Sequence, residues 1–116
     1  MGRQTKTTAG AYEVKISANA QQNIDEITGY IAFANHQPQN AVKVGDALYV
    51  VFDRIARNPY AFRECEELAT KSKMYRRALC YSWRIVYRIK SSKVLILGIV
   101  HNSRRPTILH HLRRVK

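Results

Sequence analysis

The run Ser82–His101, SWRIVYRIKSSKVLILGIVH, decides the fold. It holds two strand-rich segments, Trp83 to Lys90 and Lys93 to His101, separated by Ser91-Ser92. Two residues are the commonest connection between antiparallel strands, so the run reads as a β-hairpin. Pairing Lys90 with Lys93 sets Ile89 against Val94, Tyr87 against Ile96, Ile85 against Gly98 and Trp83 against Val100. That face is apolar and needs a covering layer. The other face pairs Arg88 with Leu95, Val86 with Leu97, Arg84 with Ile99 and Ser82 with His101. Side chains alternate between faces, so this register puts Arg84, Arg88, Lys90, Lys93 and His101 on one side. A slip of one residue moves His101 to the side opposite Arg84.

The segments before the hairpin supply the cover. Tyr12 to Ser17 alternates, with Tyr12, Val14 and Ile16 on one face, and reads as a short strand. Ser17 suits the cap of a helix in which Ala20, Ile24, Ile27, Ile31 and Ala34 form one stripe. Asn35 to Pro38 breaks the pattern, and Pro38 suits the first turn of a second helix. Its stripe is Ala41, Val44, Leu48, Val51 and Ile55, ended by Asn58-Pro59. So short a link makes an antiparallel αα-hairpin. Tyr60 to Met74 is irregular, and Tyr75 to Tyr81 is a further strand. The fold class is therefore α+β in β-α-α-β-β-β order, with the helical hairpin on one face of a small, mainly antiparallel sheet. Residues 1–10 read as a flexible arm, 11–106 as the domain, and 107–116 as a basic tail or short helix.

Charge points to the partner. The 116 residues carry a net +12, and no acid follows Glu67. Residues 68–116 hold 13 Lys or Arg, whereas residues 1–67 hold seven against eight acids. Such asymmetry favours one basic face and an anionic partner over a uniformly solvated surface. No apolar run approaches the roughly 18 residues of a membrane span. The polar first ten residues lack the apolar core of a secretory signal, so a cytoplasmic location is expected. Cys65 and Cys80 lack C-x-x-C spacing and read as buried reduced thiols, with a disulfide geometrically open. His36, His101, His110 and His111 do not pair at zinc-motif spacing, so no metal and no other cofactor is expected.

Arginine presents a rigid two-pronged donor that keeps its charge, so a strand face bearing Arg84 and Arg88 suits phosphate. Histidine exchanges a proton near neutral pH, so His101 can act as general base or acid, or can simply bond backbone at a strand end. With the 2′-hydroxyl of RNA as nucleophile, such a face can cleave a phosphodiester. Tyr81, Trp83 and Tyr87 can stack bases, but their alternation with Ile85 assigns them first to the core.

The element order, RIVYRI at Arg84 to Ile89, VLILGIVHNSRRP at Val94 to Pro106, Asn58-Pro59 and Tyr75-Arg76-Arg77 together resemble the RelE/ParE superfamily of bacterial toxins, nearer its ParE-like branch. The resemblance spans about Tyr12 to Pro106. It implies the toxin of a type II toxin–antitoxin (plasmid stabilisation) module that arrests growth and is neutralised by a cognate antitoxin, a separate acidic and partly disordered chain. RelE-like members cut ribosome-bound mRNA as endoribonucleases, and ParE-like members poison DNA gyrase. By the same resemblance the catalytic candidates are Arg84, His101 and Arg77. Arg76, Arg88, Lys71, Lys73, Arg104 and Arg105 are candidates for binding phosphate or nucleic acid. The sequence departs from the RelE pattern in its tail, where His110 and His111 stand and no tyrosine occurs. A non-catalytic nucleic-acid-binding module, and an inactive relative that still binds antitoxin, are the competing readings.

Overall fold

The computed structural model describes residues 5–6, 12–103 and 109–116. Strands β1 (Thr5–Lys6) and β2 (Glu13–Ile16) lead into helices α1 (Ala18–Gly29) and α2 (Pro38–Arg57). Then come β3 (Arg63–Glu64), β4 (Tyr75–Cys80), β5 (Trp83–Lys90) and β6 (Lys93–His101). They form one sheet in the order β1-β2-β6-β5-β4-β3, with every neighbouring pair antiparallel except β2 and β6. The α+β architecture and the helical hairpin on the sheet are as the sequence leads one to expect. Part of the N-terminal segment read as an arm is itself paired, Thr5 against Val14 and Lys6 against Glu13.

Both helices form for the reasons the periodicity gives. Ser17 caps α1, its hydroxyl accepting from the Ala20 N–H at 3.0 Å. Pro38 opens α2, and Ala41, Val44, Leu48, Val51 and Ile55 are all buried. The first stripe ends early. Residues 30–34 make a π-type turn, with the Asn35 N–H donating to the Tyr30 carbonyl, and the wider turn rotates Ala34 into solvent. His36 then reverses the chain with φ 53°. Ser91 carries the positive φ, 55°, that the two-residue hairpin needs at its first position.

The hairpin register holds only for its first half. Lys90–Lys93, Ile89–Val94, Arg88–Leu95 and Tyr87–Ile96 pair as expected. Beyond them a bulge at Leu97 shifts the partners, giving Val86–Gly98, Ile85–Ile99, Arg84–Val100 and Trp83–His101. The expected Arg84–Ile99 pair is thus corrected to Arg84–Val100. The cause lies on the other side of β6. Strand β2 ends at Ile16, opposite Ile96, so the β6 backbone beyond it has no strand partner on that side. Helix α1 meets it instead. The Leu97 carbonyl accepts from Ser17 Oγ at 3.1 Å and Asn19 Nδ2 at 2.9 Å, and the Ile99 N–H donates to Asn23 Oδ1 at 2.9 Å. A buried backbone group left unpaired is costly, so these side chains hold the bulge in place.

Two cores flank the sheet. The larger lies under the helices and joins Leu48, Phe52 and Ile55 to Ile85, Tyr87, Ile96 and Ile99. The smaller covers the opposite face, where Cys65, Leu68, Leu109 and Leu112 close over Tyr75, Val86 and Leu97. Leu109 and Leu112 come from the C-terminal segment, whose residues His110–Arg114 form a 3₁₀ turn against the sheet. Gly98 sits where the layers converge. A Cβ there would lie 2.9 Å from Leu112 Cδ2 and 3.0 Å from Asn19 Nδ2. Gly98→Ala should therefore destabilise by roughly 1–3 kcal/mol through overpacking. Asn23→Ala, which orphans the Ile99 amide, should cost roughly 1–3 kcal/mol. Denaturant midpoints check both, and Gln22→Ala on the exposed side of α1 should leave the midpoint unchanged.

Candidate functional site

The bulge decides which candidate residues can meet. Before it, Arg88, Lys90 and Lys93 share the sheet face opposite the helices, as read from the sequence. Past it the parity of β6 inverts. His101 pairs with Trp83, its ring meeting the indole edge-on at 6.2 Å, and both belong to the helix side. Arg84 stays on the opposite face. The expectation that Arg84 and His101 share one side of the sheet is therefore corrected.

Arg84 has a different set of partners. It donates from Nη1 to Glu67 Oε2 at 2.9 Å and from Nη2 to Asn102 Oδ1 at 3.4 Å. Both members of the ion pair are largely buried, with side-chain exposures of 14% and 19%. Cys65 Sγ donates to the other Glu67 oxygen at 3.6 Å. Burial alone would raise the Glu67 carboxyl, but the hydrogen bonds and charge of Arg84 outweigh it and hold the group below its ordinary value of 4.5. Burial, reinforced by the Glu67 charge, pushes the Cys65 thiol up to about 11. Cys80 is also raised by burial, and neither cysteine is bonded to the other. These thiols are protonated and inert at neutral pH.

Other candidates divide between scaffold and surface. Arg76 points to the helix side, donates to the carbonyls of Tyr60, Phe62 and Lys73, and lies 5.1 Å from the Tyr60 ring centre. It clamps the segment after α2. Arg77 stands opposite Val86, on the face of Arg84 and Arg88 and diagonal to both. Lys71 and Lys73 are exposed on the turn before β4, where Lys73 has φ 55°. Arg104 and Arg105 lie outside the described residues. His101 is exposed at its strand end, its Nδ1 2.7 Å from Ser103 Oγ and accepting from the Ser103 N–H at 3.2 Å. It lines a hollow of about 490 Å³ with Trp83, Tyr30, Glu26 and His111. Tyr87 is fully buried and donates to the Pro59 carbonyl at 2.6 Å, and burial pushes its hydroxyl pKa far up. It belongs to the core. Tyr81 is exposed in the β4–β5 turn.

Two features were missed from the sequence. Glu67 stood out in the sequence only as the last acid of the chain, in the irregular segment Tyr60 to Met74. The other is Lys15, which the parallel pairing of β2 with β6 sets beside Leu95. Its alternation with Val14 and Ile16 was the available signal, but the neighbour of that strand was not legible. Among the described residues no three His, Cys, Asp or Glu gather as metal ligands, and no helix is long and apolar enough to cross a membrane.

A model of the family described as the ParE toxin of the type II toxin–antitoxin system parDE matches residues 14–106. The chain belongs to this family. A solved structure described as the chromosomal ParDE TA system from P. aeruginosa holds a similar chain, with 16% identity and a TM-score of 0.64. The match covers 80% of this chain and 98% of that one, and at such identity it speaks for the fold alone. No curated protein matches. As a ParE-family member the chain is a type II toxin, and the family implies a cognate antitoxin as partner.

The ion pair gives this ParE-family chain a pH signature. The Glu67 carboxyl is depressed in the fold, so its stabilisation is complete above the unfolded value of 4.5 and is lost as pH falls through the lower folded value. Glu67→Gln should lose roughly 1.5–3 kcal/mol at pH 7, the scale of a charged hydrogen bond. Wild-type and variant denaturant midpoints should converge below pH 4.5. Parallel curves from pH 7 to 3 would show that the pair contributes nothing.

Proposed function

We propose that this toxin arrests growth by binding DNA gyrase engaged on DNA, without cutting mRNA, and that its antitoxin neutralises it by covering part of the basic face. The observation that carries this reading is the separation of Arg84 from His101. RNA cleavage needs a proton acceptor and a charge-stabilising donor converging on one phosphate. Here the histidine faces the helix side with its Nδ1 engaged by Ser103, and the arginine on the opposite face is committed to Glu67. Arg77 shares a face with Arg84, and among the described residues it makes no hydrogen bond to a histidine. Gyrase inhibition asks only for a complementary surface. The basic C-terminal half also suits an acidic, partly disordered antitoxin segment, since charge complementarity speeds and orients such binding.

The test is to induce the chain alone in a bacterial host and pulse-label DNA and protein synthesis. DNA synthesis should fall first, and the purified chain should inhibit gyrase supercoiling until antitoxin is added. His101→Ala, an exposed change, should keep at least half of that inhibition. Collapse of protein synthesis first, with loss of toxicity in His101→Ala or Arg77→Ala, would establish mRNA cleavage in its place.

A further inference from the structure

The basic face is unevenly available. Its Arg84 end is closed by Glu67 and the smaller core, while its hairpin end opens into a cleft of about 560 Å³. Lys15, Arg88, Lys90, Lys93 and Lys116 line this cleft, with Glu13 as its one acidic side chain. None of the five cations makes an ion pair among the described residues. Lys90 and Lys93 stand directly opposite each other across β5 and β6, a like-charge arrangement that costs stability in a sheet. Arg88 and Lys15 flank Leu95 from the two neighbouring strands, which places them about 10 Å apart at two strand spacings. The cations therefore come from three strands and the C-terminal turn, and the sheet holds them in a fixed array.

From this array we infer that the cleft binds the phosphodiester backbone of duplex DNA, without regard to base sequence. The cleft has the chemistry of a backbone reader. Four of the five cations are lysines, which bind phosphate as point charges and respond to the density of charge along a polyanion without the two-pronged geometry of arginine. Its apolar residues are Val94, which is buried, and the half-buried Leu95, so a peptide would find no pocket for an anchoring side chain. Strand β6 is paired on both sides here, and β1 covers β2 at Glu13 and Val14, so the edge left open at Lys15 and Ile16 is only two residues long. An acidic peptide would thus have charge alone to bind by, whereas a duplex presents a denser line of charge and gains from counterion release. The choice of DNA over RNA rests on the gyrase reading above.

The experiment measures binding of the full chain to a labelled 20-base-pair duplex across a salt series. A single-stranded RNA and a Glu/Asp-rich peptide are run beside it. Lys90→Gln combined with Lys93→Gln should weaken duplex binding equally for unrelated sequences. It should also flatten the slope of log affinity against log salt by roughly 2. Lys43→Gln, which removes a charge on α2, should leave the slope unchanged and so separates the cleft from net charge. A double variant with the parental slope would overturn the proposal. So would cleft-dependent binding that is tighter for the peptide or for the RNA than for the duplex. Gyrase supercoiling, measured on the same proteins, keeps the two readings apart. DNA binding through the cleft with no effect on gyrase retains the cleft and ends the gyrase reading. Gyrase inhibition by a double variant that binds DNA as the parent does retains gyrase and ends the cleft.

Discussion

Helix α1 holds the edge of β6 through Ser17, Asn19 and Asn23, and most of what is distinctive in this molecule follows from that contact. Strand β2 is too short to accompany β6 to its end, so a stretch of β6 backbone must find partners elsewhere. Asparagine supplies both a donor and an acceptor, and two of them one helical turn apart on α1 meet a carbonyl and an amide of the strand. The extra residue, Leu97, is accommodated there, and the strand beyond it presents the opposite parity. One hydrogen-bonding solution thus fixes the seat of the helical hairpin and the face on which His101 emerges.

What the sequence disclosed and what it concealed have the same origin. Helix stripes were legible because α1 and α2 bury one side only, so their periodicity survives in the residue pattern. The order of the two helices and the four longer strands, the hairpin turn at Ser91-Ser92 and both boundaries of that hairpin were legible for similar reasons, whereas the two-residue strands β1 and β3 were not. Register beyond Tyr87 was not. LILGIV is buried on both faces, and sliding such a run by one residue still buries an apolar side chain at every step. Nothing in its hydrophobicity could reveal a bulge. The asparagines that hold it look like ordinary polar residues on a solvent face. Arg84 was misjudged for a related reason, since its partner Glu67 comes from a segment without periodicity and the second core was invisible until the C-terminal turn was placed.

The electrostatic design is accordingly more local than the net charge suggests. A largely buried ion pair requires close geometry and satisfied donors to repay its desolvation. The Cys65–Glu67–Arg84 chain provides partners for both carboxylate oxygens while Arg84 Nε stays buried without one, and it removes one arginine from the pool that can meet a ligand. Lys15, Arg88, Lys90, Lys93 and Lys116 collect where three strands end together, with Glu13 the one acidic side chain lining the same cleft. A surface of this kind attracts polyanions from a distance, and its preference among them is set by how the fixed charges are spaced.

The parallel pairing of β2 with β6 also governs when the molecule comes into being. Glu13 pairs with Lys93, so the sheet closes only after about 80 residues of chain have been brought around, and closing such a loop is slow. During synthesis the two helices emerge first with their apolar stripes unsatisfied, because the strands they cover are the last to be made. The basic hairpin is made late as well. The sheet, and with it the basic cleft, is therefore assembled only once residues 13 to 101 are all free, and until then the helices wait with their apolar stripes exposed.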